Sequence, residues 1–439
     1  MTTRRPRILI IAEAANPDWV SVPLIGWSLA RALTGVADVH LVTQIRNRDA
    51  ILRAGLVEGQ DFTAIDSEAF ARPLWAIGEK LRGGGGKGWT TLQLINALSY
   101  PHFERLVWRH FGADIRAGRY DIVHRVTPLS PTIASPLAAK CARAGVPFVL
   151  GPLNGGVPWP REFDAERRQE KEWLSYIRGA YKALPGRRRA LKHAAAVIAG
   201  SRHTEGEVPV AMRDKTFYIP ENAIDPARFT KRASPGEAGP LRACFVGRMV
   251  PYKGPDMLLE AAAPLLRDGR MRLDMVGDGP MLPGLKAQAE ALGVRDGVTF
   301  HGWMDHGSVQ DVLAGSDLMA FPSIREFGGG VVLEAMALGV PSLIVDYAGP
   351  AELLTEGTGW TVPLGDRAAI IAGFRAELER LEQNRPALAH AGRAGLEQVA
   401  ARFTWDRKAD QISEIYDWVL GERDDRPEPM ADRQDHAAE

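Results

Sequence analysis

The sequence predicts an α/β protein with two doubly wound parallel sheets, each in its own domain. Short apolar runs recur along the chain and are separated by segments of helical periodicity, the pattern of a doubly wound sheet. The runs form two series, and a segment rich in Pro, Gly and charge, residues 221–240, lies between them. A chain of 439 residues is also too long for one ordinary hydrophobic core.

The first series predicts an N-terminal domain over residues 1–220. It opens with the strand-like run RILIIAEA, followed by the helical stretch PLIGWSLARALTG, which ends at Gly35. Residues 83–88, GGGGKG, have the composition of a mobile loop. Further strands of this series are predicted at residues 37–43, 121–124, 147–151 and 195–201.

The second series predicts a C-terminal domain over residues 241–403, with 221–240 as the linker. Its predicted strands are residues 241–247, 271–277, 297–302, 317–323 and 341–347. Residues 404–420 carry apolar side chains at helical spacing, which predicts a final helix. Residues 421–439 are highly charged, and we expect them to form a disordered tail.

The composition is typical of a soluble globular protein, with 45% hydrophobic and 25% charged residues. The apolar run ILIIA near the N-terminus is too short for a signal peptide, and no run approaches the roughly 18 apolar residues that span a bilayer. Cys141 and Cys244 lie in unrelated apolar contexts. We therefore expect a cytoplasmic protein with two small buried thiols and no disulfide.

The net charge of zero hides an asymmetry between the two halves of the chain. Residues 1–232 contain 34 Lys and Arg against 22 Asp and Glu, and the remainder has the opposite excess. The cations are dense in residues 161–192, where aromatic side chains are interleaved with them. This pattern suits an anionic membrane surface at the inner face of the membrane, a phosphate-bearing acceptor, or a solvated helical face. No nucleic-acid-binding motif accompanies the charge, so nucleic acid is not an expected partner.

Two glycine-rich segments resemble phosphate-binding motifs but lack their spacing. In GGGGKGWT, Lys87 is followed by Gly88 where a P-loop has Ser or Thr, and Leu81 occupies the place of its first glycine. In GDGPMLPG, residues 277–284, the third glycine comes two residues late for a dinucleotide fingerprint. A nicotinamide-dependent oxidoreductase is therefore the least favoured enzyme class.

The sequence contains no motif for a catalytic metal. It has no HExxH motif, no cysteine cluster, and no two aspartates separated by a single residue. A divalent cation held against a diphosphate needs such a carboxylate pair. We therefore expect no metal and no cofactor, so that protein cations and helix termini would stabilise any diphosphate leaving group.

Two cations follow the first strand of the second series. In FVGRMVPYKG, Arg248 and Lys253 lie in the loop after that strand, and a helix is predicted from about Pro255. Ligands of doubly wound sheets bind beyond the carboxyl ends of the strands, where both cations could neutralise a diphosphate. Taken alone, the pair is equally compatible with surface cations on a turn.

A second loop supplies carboxylates and glycines. In SIREFGGGVVLEAMALGVP, residues 323–341, three consecutive glycines lead from a strand into a helix, where backbone N–H groups can approach an anion. Glu326 precedes the glycines, and Glu334 lies about one turn into the helix. Both carboxylates are therefore predicted near one mouth with the diphosphate between them, which favours a functional site over an exposed helical carboxylate.

These segments resemble the retaining glycosyltransferases of family four, which have the GT-B fold. The similarity is strongest over about residues 217–357 and rests on ENAIDPARF, FVGRMVPYKG, GDGP with the later VTFHG, and REFGGGVVLEAMALGVP. The resemblance implies two Rossmann-like doubly wound domains facing a cleft. It also implies that the helix at 404–420 crosses back to the N-terminal domain.

The resemblance also assigns roles to individual residues. It implies that Arg248 and Lys253 contact the donor diphosphate, that Glu326 lies beside the donor sugar, and that Glu334 binds the ribose hydroxyls. The candidate donor-binding residues are Gly247, Gly328, Gly329, Gly330, Val331 and Glu334.

The N-terminal half departs from the family pattern. Many relatives have a Gly-Gly loop after the first strand, whereas this chain has EAANPDWVSVP without glycine. Many also have two histidines as HxH, whereas this chain has His124 and then Val126. His124 is thus a candidate catalytic residue or a core histidine. The loop GPLNGG makes Asn154, Gly155 and Gly156 candidates for the acceptor side.

The expected reaction transfers a sugar from a nucleotide diphosphate sugar to an acceptor hydroxyl with retention of anomeric configuration. Growing glycans and lipid-linked sugars are the expected acceptors, in glycan, polysaccharide or glycolipid assembly. The alternatives are a GT-B-type nucleotide-sugar epimerase, a phosphorylase, and a non-catalytic protein that binds nucleotide sugars.

Overall fold

The computed structural model describes residues 4–69, 89–164, 167, 185–233, 236 and 238–430, with residues 89–98 and 185 described by their backbone alone. The predicted loop at residues 83–88 lies outside these ranges, as does most of the basic segment at 161–192. Contacts divide the chain into two compact units. The first contains residues 1–156, 171–221 and 405–439, and the second contains 157–170 and 222–404.

The first unit contains a seven-stranded sheet whose described pairings are all parallel, in the order β3-β2-β1-β4-β5-β6-β7. Its strands are β1 Arg7–Ala12, β2 Asp38–Gln44, β3 Phe62–Ile65, β4 Ile122–Thr127, β5 Phe148–Leu153, β6 Ala196–Ala199 and β7 Thr216–Tyr218. Its described helices are α1 Val22–Leu33, α2 Arg48–Arg53, α3 Trp89–Arg116, α4 Pro136–Arg143, α5 Pro185–His193 and α6 Arg202–Gly206, together with the final helix of the chain.

The second unit contains a six-stranded parallel sheet in the order β10-β9-β8-β11-β12-β13. Its strands are β8 Leu241–Val246, β9 Met271–Val276, β10 Val298–Gly302, β11 Leu318–Phe321, β12 Ser342–Asp346 and β13 Gly359–Pro363. Its helices are α7 Pro255–Arg267, α8 Leu282–Ala291, α9 His306–Ala314, α10 Gly330–Leu338, α11 Ala348–Leu353, α12 Arg367–Glu382 and α13 Arg385–Arg402. The chain then returns to the first unit as α14 Trp405–Leu420.

Alternating side chains of the central strand β1 belong to two separate apolar clusters. Ile8 and Ile10 lie in one cluster with α14 residues such as Ile412, and Leu9 and Ile11 lie in the other with α3. Successive side chains of a strand point to opposite faces, so both faces of the sheet are covered by helices. The predicted doubly wound α/β fold is confirmed, as is each strand predicted from an apolar run.

Three strands, β3, β7 and β13, were not predicted. They are the outermost strands on three of the four sheet edges, and their short or partly polar runs give little apolar signal. Cys141 and Cys244 are buried free thiols, as expected. Burial raises the pKa of both thiols, which keeps them in the neutral form.

Two segments are more ordered than their composition predicts. In the predicted linker, Phe229 is buried, and Ala233 N donates to Leu338 O at 2.7 Å. In the predicted disordered tail, Arg426 donates to the carbonyl oxygens of Asp214 and Thr216, at 2.9 and 2.6 Å. Residues 421–430 therefore form part of the first unit, where a side chain of this segment is hydrogen-bonded to backbone carbonyl groups. The charge content of the segment does not predict these bonds. Residues 431–439 lie outside the described residues.

Candidate active site

The loop after β8 lies at the switch point of the second sheet. Strand β8 pairs with β9 on one side and β11 on the other, so the loops after β8 and β11 emerge side by side. The GDGP segment after β9 packs against the loop, where Met249 N donates to Asp278 O at 2.9 Å. Gly277 has a φ of +129° and leaves no space for a Cβ beside Gly247 O. The GDGP segment therefore positions the loop that carries Arg248.

The loop between β11 and α10 is bonded directly to the loop after β8. Ile324 N and Ser323 Oγ both donate to Tyr252 O, at 2.9 and 3.2 Å. Gly254 has a φ of +68°, and a Cβ at this position would lie 2.5 Å from the carbonyl oxygen of Pro322. The two loops that the sequence analysis identified from separate motifs thus form one continuous structure.

Lys253 and Glu326 form an ion pair between these loops, from Lys253 Nζ to Glu326 Oε2. Their side chains are only 14% and 22% exposed. Burial, and after it repulsion by Arg248, lower the pKa of Lys253 to about 7. Charges in such a partly desolvated place interact more strongly with an incoming ligand than charges in water.

Arg248 has a different environment from Lys253 although both lie on the same loop. Its side chain is exposed, and it makes no hydrogen bond or ion pair within the part of the chain that the structure describes. The loop therefore presents one accessible cation and one cation that is already held by a carboxylate.

Helix α10 starts at the predicted glycines. Gly329 caps the helix with a φ of +60°, and a Cβ there would lie 2.9 Å from Pro350 Cα. The N–H groups of Gly330 and Val331, in the first turn, have no carbonyl partner within the helix. Gly328 is buried just before the cap, and N–H groups of this kind at a helix N-terminus are donors that an anion can use.

Glu334 lies about one turn into α10, with its side chain 28% exposed. His306, the first residue of α9, places Nε2 at 3.5 Å from Glu334 Oε1. The His306 ring also packs edge-on against Phe229 at 5.3 Å, and Nδ1 lies 3.2 Å from Gln310 Nε2. Sequence reasoning missed His306, because it contacts Glu334 from another helix and no spacing rule links the two.

His124 is fully buried in the first unit. Its Nε2 lies 2.7 Å from Gly151 O, which can only accept, so Nε2 carries the proton and Nδ1 accepts from the Tyr416 hydroxyl at 2.6 Å. Burial lowers the pKa of His124 to about 4. Both ring nitrogens are bonded to protein groups, an arrangement typical of the alternative that His124 is a core histidine.

Arg125, the next residue of β4, is also buried and bonded to the protein. Its two terminal nitrogens donate to Ile133 O at 3.0 Å and Pro128 O at 2.6 Å. Nearby, buried Glu104 accepts from Leu137 N at 2.8 Å. These charged groups hold the loop after β4 in place.

Asn154 follows β5 directly and lies at the start of the next loop. Its Oδ1 accepts from Ser201 Oγ and Gly155 N, both at 2.8 Å. Its Nδ2 is buried and has no hydrogen-bond partner among the described residues. Gly155 and Gly156 have φ values of +141° and +81°, which side chains rarely adopt. An unmatched amide donor beside this glycine turn is suited to binding an oxygen atom of a ligand.

Within the described ranges, no group of three or more His, Cys, Asp or Glu side chains is arranged to hold a metal ion. The helices of the same ranges also include none with the length and apolar content of a membrane span.

The second unit matches a known family. Residues 227–395 match the family model described as Glycosyl transferases group 1. The D-inositol 3-phosphate glycosyltransferase of Gordonia bronchialis is 36% identical over 188 residues, which cover 39% of each chain. The chain thus matches about two fifths of the length of this curated relative.

Solved structures resemble the whole chain. A glycosyltransferase from Rickettsia africae has a TM-score of 0.63 and 14% identity, covering 95% of this chain and 100% of its own. HepE from Anabaena, in complex with UDP and glucose, has a TM-score of 0.56 and 17% identity, covering 93% and 98%. At these identities the likeness establishes the fold.

The two parallel α/β sheets and these likenesses define a protein with the GT-B fold. The match over residues 227–395 shows that the second unit contains a Glycosyl transferases group 1 domain. The resemblance inferred from the sequence motifs is confirmed.

Proposed function

We propose that this protein transfers a sugar from a nucleotide diphosphate sugar to an acceptor hydroxyl and retains the anomeric configuration. The observation that carries the proposal is the partly buried Lys253–Glu326 pair, whose carboxylate comes three residues before the Gly329 cap of α10, at the switch point of a sheet within the family domain. A cation, a carboxylate and free backbone N–H groups together suit a diphosphate joined to a sugar.

The two cations would have unequal roles. Arg248 is exposed and would meet the diphosphate first, whereas Lys253 would have to exchange its contact with Glu326 for one with a phosphate. Such an exchange leaves the Glu326 carboxylate available beside the donor sugar, where positive charge develops as the bond to phosphate breaks. The first-turn N–H groups of α10 would share the phosphate charge.

Glu334 would accept hydrogen bonds from both ribose hydroxyls, which a carboxylate can do with its two oxygens. His306 lies 3.5 Å from Glu334 Oε1 and would keep this carboxylate in position. For the chemical step, the family resemblance implies that the acceptor approaches on the leaving-group face and that the departing phosphate assists its deprotonation. The protein then contributes mainly positioning and charge stabilisation.

The first unit would contribute the acceptor side through Asn154, whose free amide donor suits a hydroxyl or phosphate oxygen of a glycan or lipid-linked acceptor. The relative from Gordonia bronchialis is named a D-inositol 3-phosphate glycosyltransferase, so a phosphorylated polyol is a reasonable first acceptor to test. Peripheral attachment to an anionic membrane through residues 161–192 remains a proposal from the sequence.

The donor can be identified by thermal-shift screening with UDP-, GDP- and ADP-sugars. A ligand at 100 times its Kd adds about 2.7 kcal/mol of stability. UDP-sugars are the first choice, since HepE was solved with UDP and glucose. The product anomer is then assigned by NMR.

A retained anomer supports the proposal, and an inverted anomer contradicts it. Acceptor-free conversion of the nucleotide sugar would indicate an epimerase instead, and dependence on inorganic phosphate would indicate a phosphorylase. Binding without turnover, across the acceptors tested, would favour a non-catalytic protein.

A further inference from the structure

A short segment that follows β5 in the chain forms part of the second unit. Residues 157–159, called here the clamp segment, follow directly after Asn154–Gly156 but belong by their contacts to the second unit. Val157 and Trp159 are 1% and 6% exposed. Nothing in the sequence distinguishes the clamp segment from the strand and loop before it.

Arg325 is the main partner of the clamp segment in the loop between β11 and α10. Its Nε donates to Val157 O at 3.2 Å. Its guanidinium carbon lies 5.3 Å from the ring centre of Trp159 and 5.4 Å from that of Phe327. Burial of a guanidinium destabilises the fold unless other groups compensate the lost hydration of its charge. Two aromatic rings and a carbonyl oxygen supply part of that compensation here.

Two tyrosines complete the attachment. The hydroxyl of Tyr347 donates to Pro158 O at 2.9 Å. The Trp159 ring packs edge-on against Tyr252, with ring centres 5.9 Å apart and an interplanar angle of 89°. Burial raises the pKa of Tyr347, so its hydroxyl remains a donor throughout the neutral range.

The residues that Trp159 contacts are the immediate chain neighbours of the proposed active-site ion pair. Tyr252 precedes Lys253, and Arg325 precedes Glu326. We propose that the clamp segment is a positioning element of the donor site, in which Trp159 and Arg325 hold the backbone on both sides of the Lys253–Glu326 pair. The expected effect on turnover rests on the proposed function. The expected effect on the loop structure does not depend on it.

The clamp segment should matter more for turnover than for donor binding. A displacement of about 1 Å in a reacting group can cost on the order of a hundredfold in rate. Glu326 is proposed to act where charge develops, so a shift of its backbone would mainly lower kcat. Glu334 and the helix N-terminus lie on α10, beyond the clamped residue, and would still hold the nucleotide.

The test measures hydrogen exchange and donor kinetics in the full-length protein. Trp159→Ala should accelerate amide exchange in residues 323–329, because loss of packing makes local opening easier. In UDP-sugar turnover it should lower kcat by about tenfold or more with a smaller change in KM. Trp159→Phe keeps an aromatic face and should restore most of both properties.

A matched control removes a similar stack elsewhere in the second unit. Trp360 on β13 lies under Arg380, with the guanidinium carbon 5.8 Å from the ring centre. Trp360→Ala should leave exchange at 323–329 and kcat unchanged. Should Trp159→Ala fail to fold, Tyr347→Phe removes only the hydroxyl bonded to Pro158 O and should give a smaller acceleration at the same residues.

Unchanged exchange at 323–329 and unchanged kcat in the folded Trp159→Ala variant would overturn the inference, even if its melting temperature falls. Unchanged amide exchange at residues 323–329 in Tyr347→Phe would also overturn the inference. The exchange comparison needs no enzymatic activity. If the wild-type protein turns over no donor, the proposed function fails, while exchange still shows whether the clamp segment holds the loop.

Discussion

The two sheets share one winding pattern but place very different side chains at their switch points. In both sheets the first strand of the unit is central, with β1 between β2 and β4, and β8 between β9 and β11. In the second unit, Arg248 is exposed, and Lys253 forms an ion pair with Glu326 across two loops. In the first unit, His124 and Arg125 are buried and bonded to protein groups.

The strand order of a sheet thus decides which loops lie side by side, whereas burial and hydrogen bonding decide which of those loops can bind a ligand. A side chain whose polar atoms are all used within the protein has no capacity left for a substrate. By this criterion we propose the donor site in the second unit, and Asn154 Nδ2 is one candidate for ligand contact in the first.

The largest expected effect is that of Lys253→Ala. Removal of a donor that stabilises a developing negative charge costs about 2.7–4 kcal/mol in the transition state, or roughly a hundredfold to a thousandfold in kcat. Arg248→Ala should cost less, because its exposed charge is screened by solvent. Steady-state kinetics of both variants, with Lys253→Arg as the charge-preserving control, measure this. Near-native kcat in folded Lys253→Ala would place the diphosphate site elsewhere.

Glu334→Ala should weaken nucleotide binding roughly tenfold to a hundredfold, because charged hydrogen bonds contribute about 1.5–3 kcal/mol. Turnover at saturating donor should change less, since the ribose is remote from the reacting carbon. Glu326→Ala should show the opposite balance, with the loss mainly in kcat.

The 2′-deoxy nucleotide is the internal control for Glu334. It should bind the wild-type protein weakly and lose little more on Glu334→Ala, since the contact is already absent. Calorimetric titration of both nucleotides into both proteins gives the coupling. Additive losses would mean that Glu334 does not contact the ribose.

The sequence alone identified most of the candidate site in the second unit and little of the candidate site in the first. The glycines, Arg248, Lys253, Glu326 and Glu334 occur in short motifs next to strong strand signals, so their common edge follows from the fold. His306 and Trp159 reach the site from distant segments, and only the folded chain reveals their contacts. For His124, a pattern of residue types could not distinguish a ligand-facing ring from a buried one.

His124 provides a prediction about stability in acid. The pKa of His124 is about 4 in the folded protein, below the value of 6.5 for an unperturbed histidine. As the pH falls below 6.5, the unfolded chain therefore takes up the proton first. The contribution to stability is complete above pH 6.5 and is lost as the pH falls toward 4, by about 1.4 kcal/mol per pH unit from this group.

Denaturant unfolding between pH 4 and 8 measures this slope. His124→Asn leaves a buried partner unpaired, so its free energy of unfolding at pH 7 should fall by about 1–3 kcal/mol. Because Asn cannot titrate, that free energy should also depend less steeply on pH in the acid range. An equal slope in both proteins would show that His124 does not titrate differently on folding.

The smallest expected effect is that of chelation. The chain has no aspartate pair of the Asp-x-Asp type, so transfer should continue in excess EDTA. Activity is compared before and after chelation, with added magnesium or manganese as the control. Complete loss that either ion restores would show that the diphosphate charge is not stabilised by protein groups alone.

The comparison between the two switch points is tested most directly by calorimetric titration of UDP into three proteins, the wild type, Lys253→Ala and His124→Asn, at a temperature where all three are folded. Loss of a charged contact worth about 1.5–3 kcal/mol should weaken binding to Lys253→Ala by roughly tenfold or more. His124→Asn should bind UDP as the wild type does, because both of its ring nitrogens are used within the protein. Unchanged affinity in Lys253→Ala together with a large loss in His124→Asn would contradict the account and move the nucleotide to the first unit.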